Sequence, residues 1–170
     1  STWKSDNKIP SQIKREFRFK TNALPSVEGK HNAANIYYQV VSTLEGLTKV
    51  KTTYAFKHRS DEKYSNLDVV LNQFNPDKLL CSNIFFRPLS YAPYHISDHF
   101  FVGKTKNLIK ACSDFKKYLD EGNKDKYQIL ENRYSPEQLI GLFYIASFKE
   151  FSIKDLLKNK KDKKFVFKVM

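Results

Sequence analysis

Features of membrane-spanning, secreted and zinc-binding proteins are missing from this sequence. No apolar run approaches the roughly twenty residues that a helix needs to cross a bilayer. The two cysteines, Cys81 and Cys112, have neither framework nor zinc-site spacing, which favours reduced, cytoplasmic thiols over a disulfide scaffold. The N-terminus carries neither a leader peptide nor an initiator Met, so we expect a processed or excised piece with residues missing upstream.

Three common signatures of catalysis and nucleic-acid binding are absent as well. No glycine-rich phosphate loop occurs, and no Ser/His/Asp or Cys/His set has diagnostic spacing. Aromatic residues are not interleaved in an ordered way with a basic patch, as they are in RNA-binding modules. Candidate chemistry therefore rests on acidic and basic side chains near the ends of strands.

Acidic residues are outnumbered by basic ones, 18 against 30, giving a net charge of +12. Such a charge suits an anionic membrane, phosphorylated substrates or nucleic acid, the last being the least expected partner here. Basic residues are concentrated between Lys154 and Lys168. This segment is either a solvated tail or a peripheral membrane contact of a cytoplasmic protein. A non-enzymatic basic module that binds anionic polymer or membrane is the alternative to an enzyme.

The length and the hydrophobic pattern predict one α/β domain. A chain of 170 residues with 41% hydrophobic residues is long enough to bury a normal core. Apolar spacing alternates between the helical and the extended period. The predicted helices cover 32–48, 66–74, 106–120, 153–157 and a stretch from 135 onward; the predicted strands cover 51–57, 78–86, 98–103 and 165–169. Residues 4–31 and 87–94 are predicted to be loops.

The segment Lys57–Asp61 ends a predicted strand and carries the first candidate site residues. A carboxylate at such a strand end, here Asp61, is suited to bind Mg²⁺ or Mn²⁺ and thereby neutralise a diphosphate. Strand alternation places Arg59 on the face of Asp61, while His58 adds another group compatible with phosphate. The structural alternatives are that Asp61 begins a turn and that Arg59 forms a salt bridge with Asp61 or Glu62.

A second polar cluster, His95, Asp98 and His99, directly precedes the apolar residues Phe100 and Phe101. Ionisable groups beside an apolar strand are costly unless they are paired. Asp98 is suited to orient a histidine, bind a metal or contact sugar hydroxyls. The alternative is that the cluster caps the strand and bonds the preceding loop.

Glu137 is the third candidate, in the first turn of a predicted helix that Ser135 caps and Pro136 begins. The helix dipole alone explains a carboxylate at this position. The functional alternative is a general base or an acceptor-binding group, with Glu131 and Arg133 just upstream as further candidates for that role.

The sequence resembles the WavE lipopolysaccharide-synthesis family over most of its length, in order from residue 1 to about 145. The segments that carry the resemblance are Ser1–Trp3, Gln39–Leu47, Lys57–Asp61, His95–Gly103 and Ser135–Gln138. The two middle segments, which contain Asp61 and Asp98, are the more specific ones.

This resemblance implies a glycosyltransferase with a GT-A-like, Rossmann-like nucleotide-sugar-binding domain, in which helices flank a mixed central sheet. The domain would cover residues 1–150, without a first strand that family members carry upstream, and 151–170 would be its basic C-terminal segment. Asp61 carries over as the metal or donor ligand, although Arg59 stands where the family pattern has its first acid. The implied partners are a nucleotide-sugar donor and a glycan or lipid-linked acceptor.

The resemblance also implies a role for each candidate residue, in binding the donor or in activating the acceptor. Arg59, Asp61, His58, His95 and His99 are expected to bind the donor, with Mn²⁺ or Mg²⁺ held by Asp61. Glu137 is expected to be the catalytic base and Asp98 the second choice. An inactive transferase-like scaffold is the remaining alternative.

Overall fold

Helices and short strands both occur along the described part of the chain. The computed structural model describes residues 2–3, 20–21, 31–59, 62–82, 92–121, 135–149 and 151–158. Its helices are α1 (His31–Leu47), α2 (Leu67–Leu71), α3 (Thr105–Asp120), α4 (Pro136–Lys149) and α5 (Ile153–Lys158). Its strands are β1 (Thr2–Trp3), β2 (Lys20–Thr21), β3 (Tyr54–His58), β4 (Leu80–Cys81) and β5 (Phe100–Lys104). A mixed α/β architecture is thus confirmed.

The long helices were predicted more closely than the strands. Helices α1 and α3 begin and end within one residue of the predicted bounds, because their apolar residues recur at the helical period. The loop predicted over 4–31 is wrong at Lys20–Thr21, where β2 pairs in parallel with β1. These two polar residues carry no apolar alternation that would indicate a strand. The predicted strand 165–169 lies outside the described residues.

Within the described ranges the larger sheet has three strands in the order β3-β5-β4, and both of these pairings are antiparallel. A mixed central sheet was expected, but the one parallel pair described, β1 with β2, belongs to a separate two-stranded sheet. In the β3–β5 register Tyr54 lies opposite Lys104, and His58 lies opposite Phe100. The C-terminal end of β3 therefore lies beside the N-terminal end of β5.

Helix α4 is largely buried among the other helices. Its predicted apolar face, Leu139, Leu142, Phe143 and Ile145, is buried, and so are Ile140 and Tyr144. A helix that is buried around most of its circumference must be surrounded by other elements. Helices α3 and α5 pack against it, and the Phe115 and Phe143 rings stack at 4.3 Å between centroids.

The start of α4 is capped as the sequence predicts. Ser135 Oγ accepts the Gln138 backbone N–H at 3.3 Å, and Gln138 Oε1 accepts the Ser135 N–H at 3.0 Å. This reciprocal pair is a capping box, which satisfies backbone groups that the first helical turn leaves open. The Gln138 amide also donates to the Pro93 carbonyl at 2.9 Å. The cap thus ties α4 to the segment that leads into β5.

Tyr94 ties the same segment to α4 and α5. Its backbone has a φ of 64°, and its hydroxyl donates to the Leu156 carbonyl at 3.0 Å. A Cβ atom placed on Gly141 of α4 would lie 1.8 Å from the Tyr94 carbonyl oxygen. Only glycine permits this approach of helix and loop. The backbone from Ala92 to His99 is therefore anchored on α4 and α5 before it reaches the sheet.

Candidate functional site

The two polar segments singled out in the sequence meet where β3 ends and β5 begins. The antiparallel register brings them together, and the Arg59 N–H donates to the His99 carbonyl at 3.1 Å. Helix α1 adds a side chain from a third element. We use the name strand-end cluster for the six residues that join there: Gln39, Lys57, Arg59, Glu62, Asp98 and His99.

Glu62 links both halves of the strand-end cluster. One carboxylate oxygen contacts Nδ1 of His99 and lies 3.5 Å from Arg59 Nε, while the other accepts a hydrogen bond from the Tyr64 hydroxyl. The Tyr64 hydrogen bond is the main reason why the pKa of Glu62 is lowered, and His99 and Arg59 act in the same direction. The ion pair between Arg59 and Glu62, one of the structural alternatives for Arg59, is thus present.

Asp98 is held by two residues that sequence reasoning missed. Its Oδ2 accepts a hydrogen bond from the Gln39 amide at 2.8 Å, and its backbone carbonyl accepts one from the Lys57 ammonium. Gln39 lies on α1 and Lys57 on β3. These bonds run to α1 and β3 and not to the loop before β5.

Lys57 is partly buried and lies above an aromatic ring. Its Nζ is 5.3 Å from the centroid of the Phe101 ring. Burial lowers the pKa of Lys57, and the charge of Asp98 opposes this shift. The alternation of side chains along β3 gave no indication of burial, because a lysine in a short strand is ordinarily placed on the solvent face.

The three candidate histidines, His58, His95 and His99, occupy different environments. His58 is exposed, with Nδ1 2.6 Å from the Arg59 carbonyl oxygen and its ring stacked on Phe56 at 5.5 Å. His95 is buried, and its backbone N–H donates to the Ala92 carbonyl. His99 contacts Glu62 and joins the strand-end cluster directly.

The remaining candidate residues are not all found in the strand-end cluster. Asp61, Glu131 and Arg133 lie outside the described residues. Glu137 is partly buried in the first turn of α4, and none of the contacts that build the strand-end cluster includes it. Among the described residues, no three His, Cys, Asp or Glu side chains are placed to hold one metal ion.

The crevice lined by Gln39 of the strand-end cluster is too small for a sugar nucleotide. A crevice of about 10 Å³ lies between α1, α3, α4 and β5, and Gln39, Phe101, Cys112 and Tyr144 contribute to its lining. That volume is at the lower limit for a single water molecule.

The two thiols are free, as the sequence predicts. Burial raises the pKa of Cys112 to about 11, and the Tyr144 hydroxyl lies 3.5 Å from its sulfur. Burial also raises the pKa of Cys81. Thiols with raised pKa values are poor nucleophiles at neutral pH, so neither is placed in the candidate chemistry. None of the helices in the described ranges combines the length and the apolar character needed to cross a membrane.

Comparison with known proteins gives one match. A family model described as WavE lipopolysaccharide synthesis matches residues 21–150, which is more than half of the chain. No curated protein and no solved structure matches the chain. The matched range includes β3, β5 and every residue of the strand-end cluster.

Proposed function

The chain belongs to the WavE lipopolysaccharide-synthesis family, and from this premise we propose that it transfers a sugar from a nucleotide-sugar donor to a glycan or lipid-linked acceptor. The observation that carries the proposal is the strand-end cluster, where Arg59, which follows β3, meets Asp98 and His99, which precede β5. We further propose that the described elements are part of a GT-A-like domain, whose donor site lies at strand ends.

The donor diphosphate is assigned to the Arg59 side of the cluster. The Arg59 side chain is 41% exposed, so it is accessible to a ligand while Glu62 holds its Nε. A guanidinium offers several N–H donors in a planar fork that matches phosphate oxygens. His58 beside it is exposed as well. In this assignment Asp61 positions the diphosphate, and His99 and His95 line or support the donor site.

A divalent metal is proposed only at Asp61. The described acidic residues do not supply a metal site by themselves, and both oxygens of Glu62 are engaged by protein partners. Mn²⁺ or Mg²⁺ bound by Asp61 would neutralise the diphosphate. Arg59 itself supplies positive charge where the nucleotide departs.

Asp98 is preferred to Glu137 as the base that activates the acceptor. Asp98 shares the cluster with Arg59 through His99 and Glu62, whereas Glu137 has no described contact there. In an inverting reaction the acceptor hydroxyl oxygen bonds to the anomeric carbon as the bond to the nucleotide oxygen breaks. The hydroxyl proton passes to the carboxylate, and the nucleoside diphosphate leaves with the bonding electrons.

Replacement of the candidate acids tests this assignment. Asp98→Asn is expected to lower the rate of sugar transfer by about 10²-fold to 10⁴-fold, the usual contribution of a general base. Glu137→Gln is the matched control and is expected to retain most activity. Asp61→Asn is expected to abolish transfer while the unfolding midpoint stays unchanged. If Glu137→Gln is inactive and Asp98→Asn is active, the roles are reversed.

Ligand binding separates the enzyme from the other functions. Calorimetric titration with a panel of nucleoside diphosphates, with and without Mn²⁺, is expected to find one that binds. If none of the nucleoside diphosphates binds, the proposal is contradicted and an inactive transferase-like scaffold is favoured. Salt-dependent binding of acidic vesicles or nucleic acid without donor binding would favour a basic binding module instead.

A further inference from the structure

Side chains from two elements donate hydrogen bonds to two different atoms of Asp98. Gln39 of α1 donates from Nε2 to the carboxylate oxygen Oδ2, at 2.8 Å. Lys57 of β3 donates from Nζ to the backbone carbonyl of the same residue. One contact sets the carboxylate and the other sets the main chain, so together they restrict both the position and the orientation of Asp98.

The Lys57 contact is hard to explain by stability alone. A lysine kept partly out of water loses hydration, which is why the pKa of Lys57 is lowered. An apolar residue at such a position is often as stabilising as a charged pair. The groups whose charges act on Lys57 are Asp98, Arg59, Glu62 and Cys112, and three of these four belong to the strand-end cluster.

Gln39 leaves one carboxylate oxygen for chemistry. Within the described ranges it is the only side chain that hydrogen-bonds the Asp98 carboxylate, and it binds Oδ2 alone. An amide that donates one bond fixes the rotation of a carboxylate without supplying a proton that could be lost. No side chain in the described part of the chain donates a hydrogen bond to Oδ1, which leaves this oxygen for an acceptor hydroxyl.

We propose that Gln39 and Lys57 are positioning residues that hold Asp98 so that Oδ1 meets the acceptor hydroxyl. This inference rests on the proposed function and deepens it, because it explains how a carboxylate two residues before β5 is oriented. Neither residue touches the substrate in this account. Their effect on the reaction passes through Asp98 alone.

Kinetics of four variants test the inference. Gln39→Ala and Lys57→Met are expected to lower kcat by about 10-fold to 100-fold, as loss of a supporting hydrogen bond or a displacement of about 1 Å does. The donor dissociation constant is expected to stay within about two-fold, since Arg59 is untouched. Lys57→Arg is expected to recover part of kcat. Thr43→Ala, one turn along α1 from Gln39 on the same crevice, is the matched control with unchanged kcat.

A purely structural role would give a different pattern. Lower unfolding midpoints together with an unchanged kcat for the folded fraction would overturn the inference. So would equal losses in the Thr43→Ala control. A loss of donor affinity in Lys57→Met without a change in kcat would place Lys57 in donor binding and likewise contradict it.

A measurement without catalysis keeps this inference separate from the proposed function. The Lys57 side chain is titrated by NMR in the full chain and in Asp98→Asn. Because the Asp98 charge supports the charged lysine, its removal is expected to lower the pKa of Lys57 further. In Gln39→Ala the backbone signals of Asp98 and His99 are expected to shift, whereas Thr43→Ala leaves them in place. If wild-type protein transfers no sugar, the proposed function fails. The two NMR results then decide by themselves whether Gln39 and Lys57 hold Asp98. Unchanged spectra in the variants would refute these contacts.

Discussion

Gly141 offers the sharpest test of how α4 positions the segment before β5. In Gly141→Ala the added Cβ would lie 1.8 Å from the Tyr94 carbonyl oxygen and 3.0 Å from its carbonyl carbon. Both are backbone atoms, so no side chain can rotate away to make room. The helix and the loop must separate instead, and the segment that carries Asp98 and His99 must move with the loop.

The size of the effect follows from two opposing contributions. Overpacking in a core costs about 1–3 kcal/mol, and a clash with backbone belongs at the upper end. Alanine in place of glycine within a helix returns about 1 kcal/mol. We therefore expect the free energy of unfolding to fall by about 2 kcal/mol. In a chain of this length this lowers the thermal unfolding midpoint by about 4–8 °C.

Gly46→Ala is the matched control for this prediction. Gly46 also lies in a helix, α1, but a Cβ there would meet no atom within 4 Å. Because Gly46 lies near the helix end, its replacement by alanine is expected to raise the free energy of unfolding by up to about 1 kcal/mol. Urea and thermal unfolding followed by circular dichroism measure both variants. If Gly141→Ala is as stable as Gly46→Ala, the close packing of α4 on Tyr94 is wrong.

Three further outcomes are expected from the contacts described. Ser135→Ala removes one half of the α4 capping box and is expected to cost about 1 kcal/mol of unfolding free energy in urea titrations, whereas no loss would contradict the cap. Glu62 has a lowered pKa, so its stabilising contribution is present above the ordinary glutamate pKa and is lost as the pH falls through the folded value. The stability difference between wild type and Glu62→Gln should therefore shrink on acidification, and a difference that grows would refute this sign. Cys112, with a pKa of about 11, is expected to react with a thiol reagent at pH 8 far more slowly than in the unfolded chain, and equal rates would show that it is exposed.

Local patterns in the sequence were enough for the long helices and for two of the strands. The apolar spacing gave α1 and α3 nearly to the residue, and the aromatic runs located β3 and β5. Pairing between strands is not local, because residues more than forty positions apart meet in the β3–β5 register. No periodicity in either strand predicts that partner or its antiparallel direction.

The strand-end cluster was predicted in part. Arg59, Asp98 and His99 were recognised because charged residues beside apolar strands are conspicuous. Gln39 and Lys57 were missed, since a polar side chain on an amphipathic helix or a short strand is ordinarily assigned to solvent. The Gln39 contact depends on where the fold places α1, and the Lys57 contact depends on the β3–β5 register; both are tertiary properties.

Donor binding at Arg59 is the most direct test of the central claim, that the ends of β3 and β5 form a nucleotide-sugar site. Titration calorimetry compares wild type, Arg59→Ala and the exposed-lysine control Lys106→Ala with the nucleoside diphosphate that binds best. A lost charge-assisted hydrogen bond of about 1.5–3 kcal/mol predicts binding about 10-fold to 100-fold weaker in Arg59→Ala, with Lys106→Ala unchanged. Equal affinities for wild type and Arg59→Ala, or equal losses in both variants, would contradict the site.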